Sequence, residues 1–224
     1  MILELFAGSR SIGKIADKLN IPVFSSDIND FDNIDYVCNI LDFDIKKIPF
    51  KPLIIWASPP CTAFSVASIP YYWNKDKTPK KEALIHIEIV KKTLEIISIL
   101  KPKYFYIENP RGMLRKNKIM TGLPRTTVWY CKYGFDIAKP TDIWSNNLYS
   151  LFKPNGWSSR PGCFNNNISC WHEKSPRIEG DKGTQGKKNS YIRSMIPPEL
   201  CMEILSLHLK EIRSMQLKEN KINI

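Results

Sequence analysis

The sequence predicts an α/β fold: a doubly wound, mostly parallel sheet that carries a small irregular insert. Three observations point there. Short apolar runs alternate with helical stretches, several of those runs end abruptly on polar or reactive side chains, and no internal repeat breaks the order. The chain has 224 residues, 43% of them hydrophobic, which is enough for one full-sized domain with a substantial core.

Taken in order, Ile2 to Phe6 reads as a strand opening into the small-residue turn "AGSRSIG", and "IGKIADKL" (12–19) has helical periodicity. "PVFSSD" (22–27) is a second strand that ends on a carboxylate, and "DYVCNI" (35–40) is a third. Leu53 to Trp56 is bulky and apolar throughout, as expected of a parallel strand covered on both faces. A long polar loop with aromatic interruptions is expected from Ser65 to Lys81, followed by a strong helix over 82–100. "YFYIEN" (104–109) is a fifth strand and "RTTVWYC" (125–131) a sixth. From about Pro140 to Ser190 the pattern dissolves into Asn, Gly, Pro, Lys and Ser with isolated aromatics. A structureless stretch of that length is expected only where it is functional or held by something else. Pro197 and Pro198 then open a terminal helix, "ELCMEILSLHLKEIRSM". The expected organisation is a core over 1–139, a small irregular insert over 140–190, and a closing segment over 191–224 that returns to the core.

Composition narrows the function classes. No apolar stretch approaches the roughly 20 residues of a membrane span, and the opening "MILELFAGS" lacks a leader pattern, so a cytoplasmic protein without a membrane partner is expected. The net charge of +11, from 33 basic and 22 acidic residues, suits a polyanionic partner such as nucleic acid. A bias towards Ile, Asn and Lys would account for it equally well. Six cysteines in such a chain suggest free thiols, a metal or a nucleophile rather than disulfides.

The chemistry gathers at strand ends. Pro59 and Pro60 cannot extend the fourth strand, because each lacks a backbone donor, so Cys61 is presented just beyond its carboxyl end. Open α/β sheets bind ligands along that edge. The turn from Ala7 to Gly13, Asp27 after the second strand, and Glu108 with Asn109 after the fifth reach the same edge. An acidic residue closing the second strand is placed to accept hydrogen bonds from a ribose diol. His86 and His208 fall on helices and read as satisfied helix residues.

In their order along the chain these stretches resemble the DNA (cytosine-5) methyltransferases. "LELFAGSRSIG" is similar to that family's cofactor turn, "ASPPCTAFS" to its P-P-C-x-x-F-S nucleophile loop and "YIENPRG" to its E-N-V strand end. "RTTVWYC" looks like a degenerate arginine-bearing strand, and "RSMIPPELCMEI" resembles the closing motif. The resemblance implies the methyltransferase (Rossmann-like) fold, S-adenosyl-L-methionine as cofactor, and double-stranded DNA as partner, with the cytosine flipped out of the stack. It implies a bacterial or phage type of enzyme acting in the bacterial or phage-infected host cytosol. Cys61 would be the nucleophile, its pKa depressed by a turn into a helix N-terminus. Glu108 would hold or protonate cytosine N3, Asn109 would fix the loop, and Arg125 would complete the catalytic set. The cofactor would lie along Phe6, Ala7, Gly8, Ser9 and Ser11, with Asp27 on the ribose, Asn39 and Ile40 at the adenine, and Pro59 and Ser194 lining the pocket. Ser65, Trp73, Lys75, Lys77, Lys80 and Lys81 would close on DNA, lysines on phosphates and the aromatic on a base.

The sequence also departs from the family. Ser9, Arg10 and Ser11 replace small glycines, Pro110 should stiffen the exit from the fifth strand, and Arg193-Ser194 replaces Gly-Asn in the closing motif. A guanidinium beside a sulfonium would be repulsive, so Arg193 is expected to point away from the site. The alternative is an inward Arg193 that pairs with an acidic group on a modified cofactor and so directs a non-methyl transfer. The space for a target-recognition region is about as short as the smallest self-folding domains, so recognition would be minimal or shared with another subunit. Cys163, Cys170 and His172, with Cys131 ahead of them, form a Cys3His set suited to a structural zinc ion; the alternative is three free thiols and a surface histidine. Two further functions stay open: modification of RNA or a free cytosine nucleotide, and a non-catalytic nucleic-acid binder.

Overall fold

A computed structural model describes residues 1–149, 156–172 and 190–222. The expected insert therefore falls partly outside the described residues. Seven strands among those described form one sheet: β1 (Ile2–Leu5), β2 (Val23–Asp27), β3 (Tyr36–Val37), β4 (Ile54–Ala57), β5 (Tyr104–Pro110), β6 (Arg125–Trp129) and β7 (Pro140–Ser145). Their order is β3-β2-β1-β4-β5-β7-β6. The first five pair in parallel, while β7 runs antiparallel to both β5 and β6. The fold is the expected doubly wound, mostly parallel α/β type, and the chain reverses its strand order between β1 and β4, where such sheets open a crevice.

Residues 140–145, expected as the start of the irregular stretch, are instead a central strand. The reason is a buried polar position: Asp142 is fully buried on β7, where Arg115 Nε donates to it at 2.8 Å and Thr127 Oγ1 at 2.8 Å. An aspartate in mid-strand breaks the apolar run by which a covered strand is recognised, and its main partner lies 27 residues earlier.

Two apolar layers cover the sheet. On one face α1 (Ser11–Lys18) and α5 (Pro198–Ile222) bring Ile12, Ile15, Leu200, Ile204 and Ile212 against Ile2, Ile54 and Tyr106. On the other, α3 (Lys81–Leu100) places Ile87, Val90, Ile96 and Ile97 over Leu3, Leu5, Ile55 and Ile107. Pairing of Ile2, Leu3, Glu4 and Leu5 with both β2 and β4 buries β1 completely, so its strand end is fixed within the sheet. The expected loop over 65–81 contains a short helix, α2 (Ile69–Tyr72), started by Pro70 in its first turn. His208 is a satisfied core histidine, 2.8 Å from the Tyr106 hydroxyl and stacked on Tyr104.

Glu4 binds β1 to α1. Arg10, the residue preceding the helix, is in the left-handed region (φ 52°) and offers no side-chain cap. The Glu4 carboxylate replaces it by accepting from the Ile12 amide at 3.0 Å and the Gly13 amide at 2.9 Å, two donors that the helix cannot satisfy itself. A Cβ at Gly13 would lie 2.9 Å from Glu4 Oε2 and from Arg10 Nε, so any larger residue there would displace the Glu4 and Arg10 side-chain ends.

Burial raises the Glu4 carboxyl from its ordinary 4.5 to about 7, against the pull of the two helix amides and Arg10. The folded chain then holds this proton more tightly than the unfolded chain does, so its contribution to stability is full below about pH 4.5 and falls as the pH rises to about 7. At 1.36 kcal/mol per unit, the loss is about 3 kcal/mol. Urea unfolding across that range should show the decline in the wild type and a flatter profile in Glu4→Gln; equal slopes would rule out this residue as the cause.

Candidate active site

β4 ends at Ala57, and Ser58 to Pro60 carry the chain out of the sheet to Cys61. The Cys61 carbonyl accepts from the amides of Phe64 and Ser65, both at 2.9 Å, so the residues after it form a tight turn. A helix N-terminus does not begin there, and the expected helical depression of the thiol pKa is absent. The neighbouring strand's exit holds this turn at both ends. Before Cys61, the Asn109 amide donates to the Pro59 carbonyl at 2.8 Å. After it, the Met113 amide donates to the Phe64 carbonyl at 2.7 Å. Between those points Gly112 passes so close that a Cβ would lie 1.9 Å from the Phe64 carbonyl oxygen. Pro110 does not interrupt β5, since it forms the last register pair of the ladder, opposite Thr141.

Glu108 lies at the end of β5, buried to 5% exposure, and accepts from the Tyr130 hydroxyl at 2.8 Å. Burial raises its carboxyl pKa, while Lys139, Tyr130 and Ser58 pull the other way. Cys61 is half-buried as a residue, yet desolvation of its sulfur is the largest effect and raises the thiol pKa; Lys139 lowers it, Glu108 raises it, and Arg193 lowers it. The Lys139 ammonium is itself desolvated, which lowers its pKa against the upward pull of Glu108 and Cys61. Thiol, carboxyl and ammonium therefore lie close enough to shift one another's ionisation.

Lys139 was not legible as a site residue. It precedes β7, in a backbone conformation (φ 27°) that local patterns do not anticipate. Its Nζ donates to the Arg193 carbonyl at 2.6 Å and stands 4.5 Å from the Tyr130 ring centroid. That bond holds α4 (Ser190–Ser194) beside Lys139. Arg193 also lowers the pKa of both Cys61 and Lys139, in each case as the smallest of the influences named. Arg125 is not brought to this group. It pairs in register with Trp144, on the face opposite Glu108, and stands 4.0 Å from Asp142.

The expected cofactor turn is strongly bent, with Phe6 (φ 58°), Gly8 (φ 48°) and Arg10 (φ 52°) all left-handed. Two hydrogen bonds orient the Asp27 carboxylate: Gly8 N to Oδ2 and Asn29 N to Oδ1, both at 2.9 Å. Phe6, Asp27, Asn39 and Ile40 line one mostly apolar cleft with Ser26, Ile28, Cys38, Pro60 and Ile89. Pro60, rather than Pro59, faces this cleft, since Pro59 is turned inward to Asn109. Ile28, 63% exposed, is an apolar surface that the sequence reading missed. Gly8 and Ser9 also border a polar cleft of about 530 Å³ that extends to Asp30, Asp32 and Tyr191. Ala7 is buried in the turn, and the Ser11 hydroxyl accepts from the Ile196 amide at 3.1 Å, which joins the turn to the closing segment. Ser194 is exposed and donates to the Tyr191 carbonyl at 2.7 Å.

In the loop after the Cys61 turn, Lys75, Lys77 and Lys81 are exposed, and Lys80 donates to the Pro70 carbonyl at 2.8 Å. Ser65 bonds Ser68 at 2.8 Å. Trp73 is not available to a base. It is 5% exposed, donates to the Ala63 carbonyl at 2.6 Å, and packs on Phe64, because an indole with a buried partner anchors a loop better than solvent does. Cys131, Cys163, Cys170 and His172 converge, with ligand atoms all within 4.8 Å of one another.

The family model described as C-5 cytosine-specific DNA methylase matches residues 17–123. A Frog virus 3 (isolate Goorha) protein named "Probable DNA (cytosine-5)-methyltransferase" is 30% identical over 224 residues, covering 92% of this chain and 99% of its own length. Among solved structures, a Spodoptera frugiperda DNMT2 mutant is 16% identical with a TM-score of 0.45, covering 71% of this chain and 54% of its own. The Entamoeba histolytica methyltransferase EhMeth is 17% identical with a TM-score of 0.46, covering 68% of this chain and 56% of its own. The chain thus spans just over half the length of these two solved proteins.

Two outcomes follow from the geometry. Gly112→Ala should force the β5 exit away from the turn at Phe64, at a cost of about 1–3 kcal/mol in unfolding free energy, with a change in Cys61 reactivity; an unchanged alkylation rate and stability would show that the contact is not tight. Lys139→Met should slow iodoacetamide alkylation of Cys61 at fixed pH, because removing the cation leaves less thiolate, and Lys139→Arg should recover most of the rate. Equal rates in all three proteins would remove Lys139 from the thiol's surroundings.

Proposed function

Because the chain belongs to the family of C-5 cytosine-specific DNA methylases, we propose that it transfers a methyl group from S-adenosyl-L-methionine to C5 of a cytosine in DNA, through a covalent adduct on Cys61. The observation that supports this most directly is geometric: the turn carrying Cys61 is held on both sides by the exit of β5, the adjacent strand that ends on buried Glu108.

Cytosine C5 is a weak nucleophile while the ring is aromatic. Addition of the Cys61 thiolate to C6 forms an S–C6 bond and moves the ring electrons towards N3 and C5. Glu108, whose burial favours the protonated carboxyl, donates its proton to N3 and so neutralises the charge that develops there. Tyr130, donating to Glu108, orients the carboxyl. Lys139 stabilises the thiolate before attack and the Glu108 carboxylate once its proton has gone. C5 would then take the methyl group as the sulfonium S–CH3 bond breaks and a neutral thioether leaves. N3 returns its proton to the Glu108 carboxylate, a base takes the C5 proton, the S–C6 bond breaks and the thiolate returns. Asn109 and Met113 keep the sulfur in place throughout by holding the turn. A stacked base could not reach a thiol in such a crevice, so the cytosine must leave the helix.

S-adenosyl-L-methionine supplies the electrophilic methyl group. The residues present fit it: the Asp27 carboxylate, oriented by two amides, keeps lone pairs for a ribose diol, and Ile28, Ile40 and Pro60 offer apolar contact to a purine. Exposed Lys75, Lys77 and Lys81 would meet phosphates, in keeping with the net charge of +11.

Mass spectrometry of nucleosides from DNA and RNA incubated with the protein and ordinary S-adenosylmethionine tests this reading. The expected product is deoxycytidine heavier by one methyl group. Cys61→Ala should abolish it, and Glu108→Gln should lose most of it while DNA affinity stays within about twofold. Product confined to RNA, or near-normal product from the alanine variant, would overturn the proposal.

A further inference from the structure

We propose that Cys131, Cys163, Cys170 and His172 bind one structural zinc ion, which pins the segment after β7 to the end of β6. Three thiols and one imidazole, three of them within residues 163–172 and the fourth from Cys131, meet with every ligand atom within 4.8 Å of every other. Tetrahedral zinc with Zn–S of about 2.3 Å and Zn–N of about 2.05 Å requires S···S edges of about 3.8 Å and S···N edges of about 3.6 Å. The separation of Cys163 Sγ from His172 Nε2 is 3.5 Å, the S···N edge of such a tetrahedron. Soft thiolates with one imidazole select zinc over magnesium or calcium. Four protein ligands leave no open position, so the ion would hold structure rather than activate water.

The surroundings support the same conclusion. The Asn167 side-chain amide donates to Cys163 Sγ at 3.3 Å, the kind of outer contact that orients a metal-bound thiolate. Turns close the loop: the Asn167 amide donates to the Phe164 carbonyl and the Cys170 amide to the Asn167 carbonyl. The local apolar core is very small, with Trp129, Cys131 and Ala138 buried and Cys163 and Cys170 packed against them. Meanwhile Phe164, Ile168 and Trp171 are 61%, 84% and 60% exposed. A segment that buries so little needs another source of order, and a metal provides it. Cys131 directly follows Tyr130, the hydroxyl donor to Glu108, so the ion would also steady the strand end beneath the carboxyl.

The full chain, expressed in zinc-supplemented medium and purified without chelators, should contain about one zinc per molecule by elemental analysis. Titration with an organomercurial should release that zinc as three thiols are consumed. Cys170→Ser should lose the metal, whereas His172→Cys, which makes another closed set, should keep it. Wild-type protein that contains no zinc, or that carries iron instead, overturns the proposal. So does an intact mass showing a disulfide among these three cysteines. Because the decisive readings are made on the wild type, a variant that fails to fold does not obscure the answer.

Discussion

Everything proposed for the site depends on how the exit of β5 grips the turn that leaves β4. Two backbone carbonyls flanking Cys61 are occupied by donors from the neighbouring strand's exit, Asn109 to Pro59 and Met113 to Phe64. Parallel pairing of β4 with β5 brings the two exits side by side, and the missing side chain at Gly112 allows backbone to touch backbone. The prolines stop the strand, but the grip determines where the sulfur goes afterwards. A loop held at both ends loses little entropy when a substrate arrives, which is the general advantage of preorganisation.

The second constraint is electrical. Burial disfavours the charged forms of Cys61, Glu108 and Lys139 alike, so none is comfortable alone. Together they make a small set in which one cation faces two groups that can each become an anion. In the proposed cycle the negative charge moves from sulfur to the cytosine ring and then to carboxylate, while the ammonium stays fixed. Tyr130 lies under both partners, donating to Glu108 and presenting its ring to Lys139.

Legibility in the sequence followed covalent and periodic constraint. The covered strands β1, β4 and β5 were visible because short, mostly apolar runs that give way to turn or polar residues have few other uses. Cys61 was visible because two prolines forced it out of the sheet. β7 was hidden because Asp142, paired with Arg115 across 27 residues, gives a central strand a polar interior. Lys139 was hidden because its role comes from strand order: β7 inserts between β5 and β6, and that placement has no local signature. Trp73 was placed on the substrate side because an aromatic among lysines suggests a nucleic-acid surface, yet its indole found an acceptor at Ala63 inside the fold. The converging cysteines and histidine were marked by residue type and spacing, although the closeness of their ligand atoms required coordinates.

The bond from Lys139 to the Arg193 carbonyl has a consequence for how the protein is made. It joins residues 54 positions apart, and its acceptor follows all seven described strands in chain order. N-terminal portions fold first during synthesis, so the sheet, the turn at Cys61 and Glu108 can all assemble while this ammonium still lacks its carbonyl anchor. A nascent chain stalled before Arg193 would then hold a thiol without its cation fixed in place, and so a muted reactivity. The thiol would gain its anchored cation only once Arg193 has been made, after the sheet and the turn at Cys61 are in place.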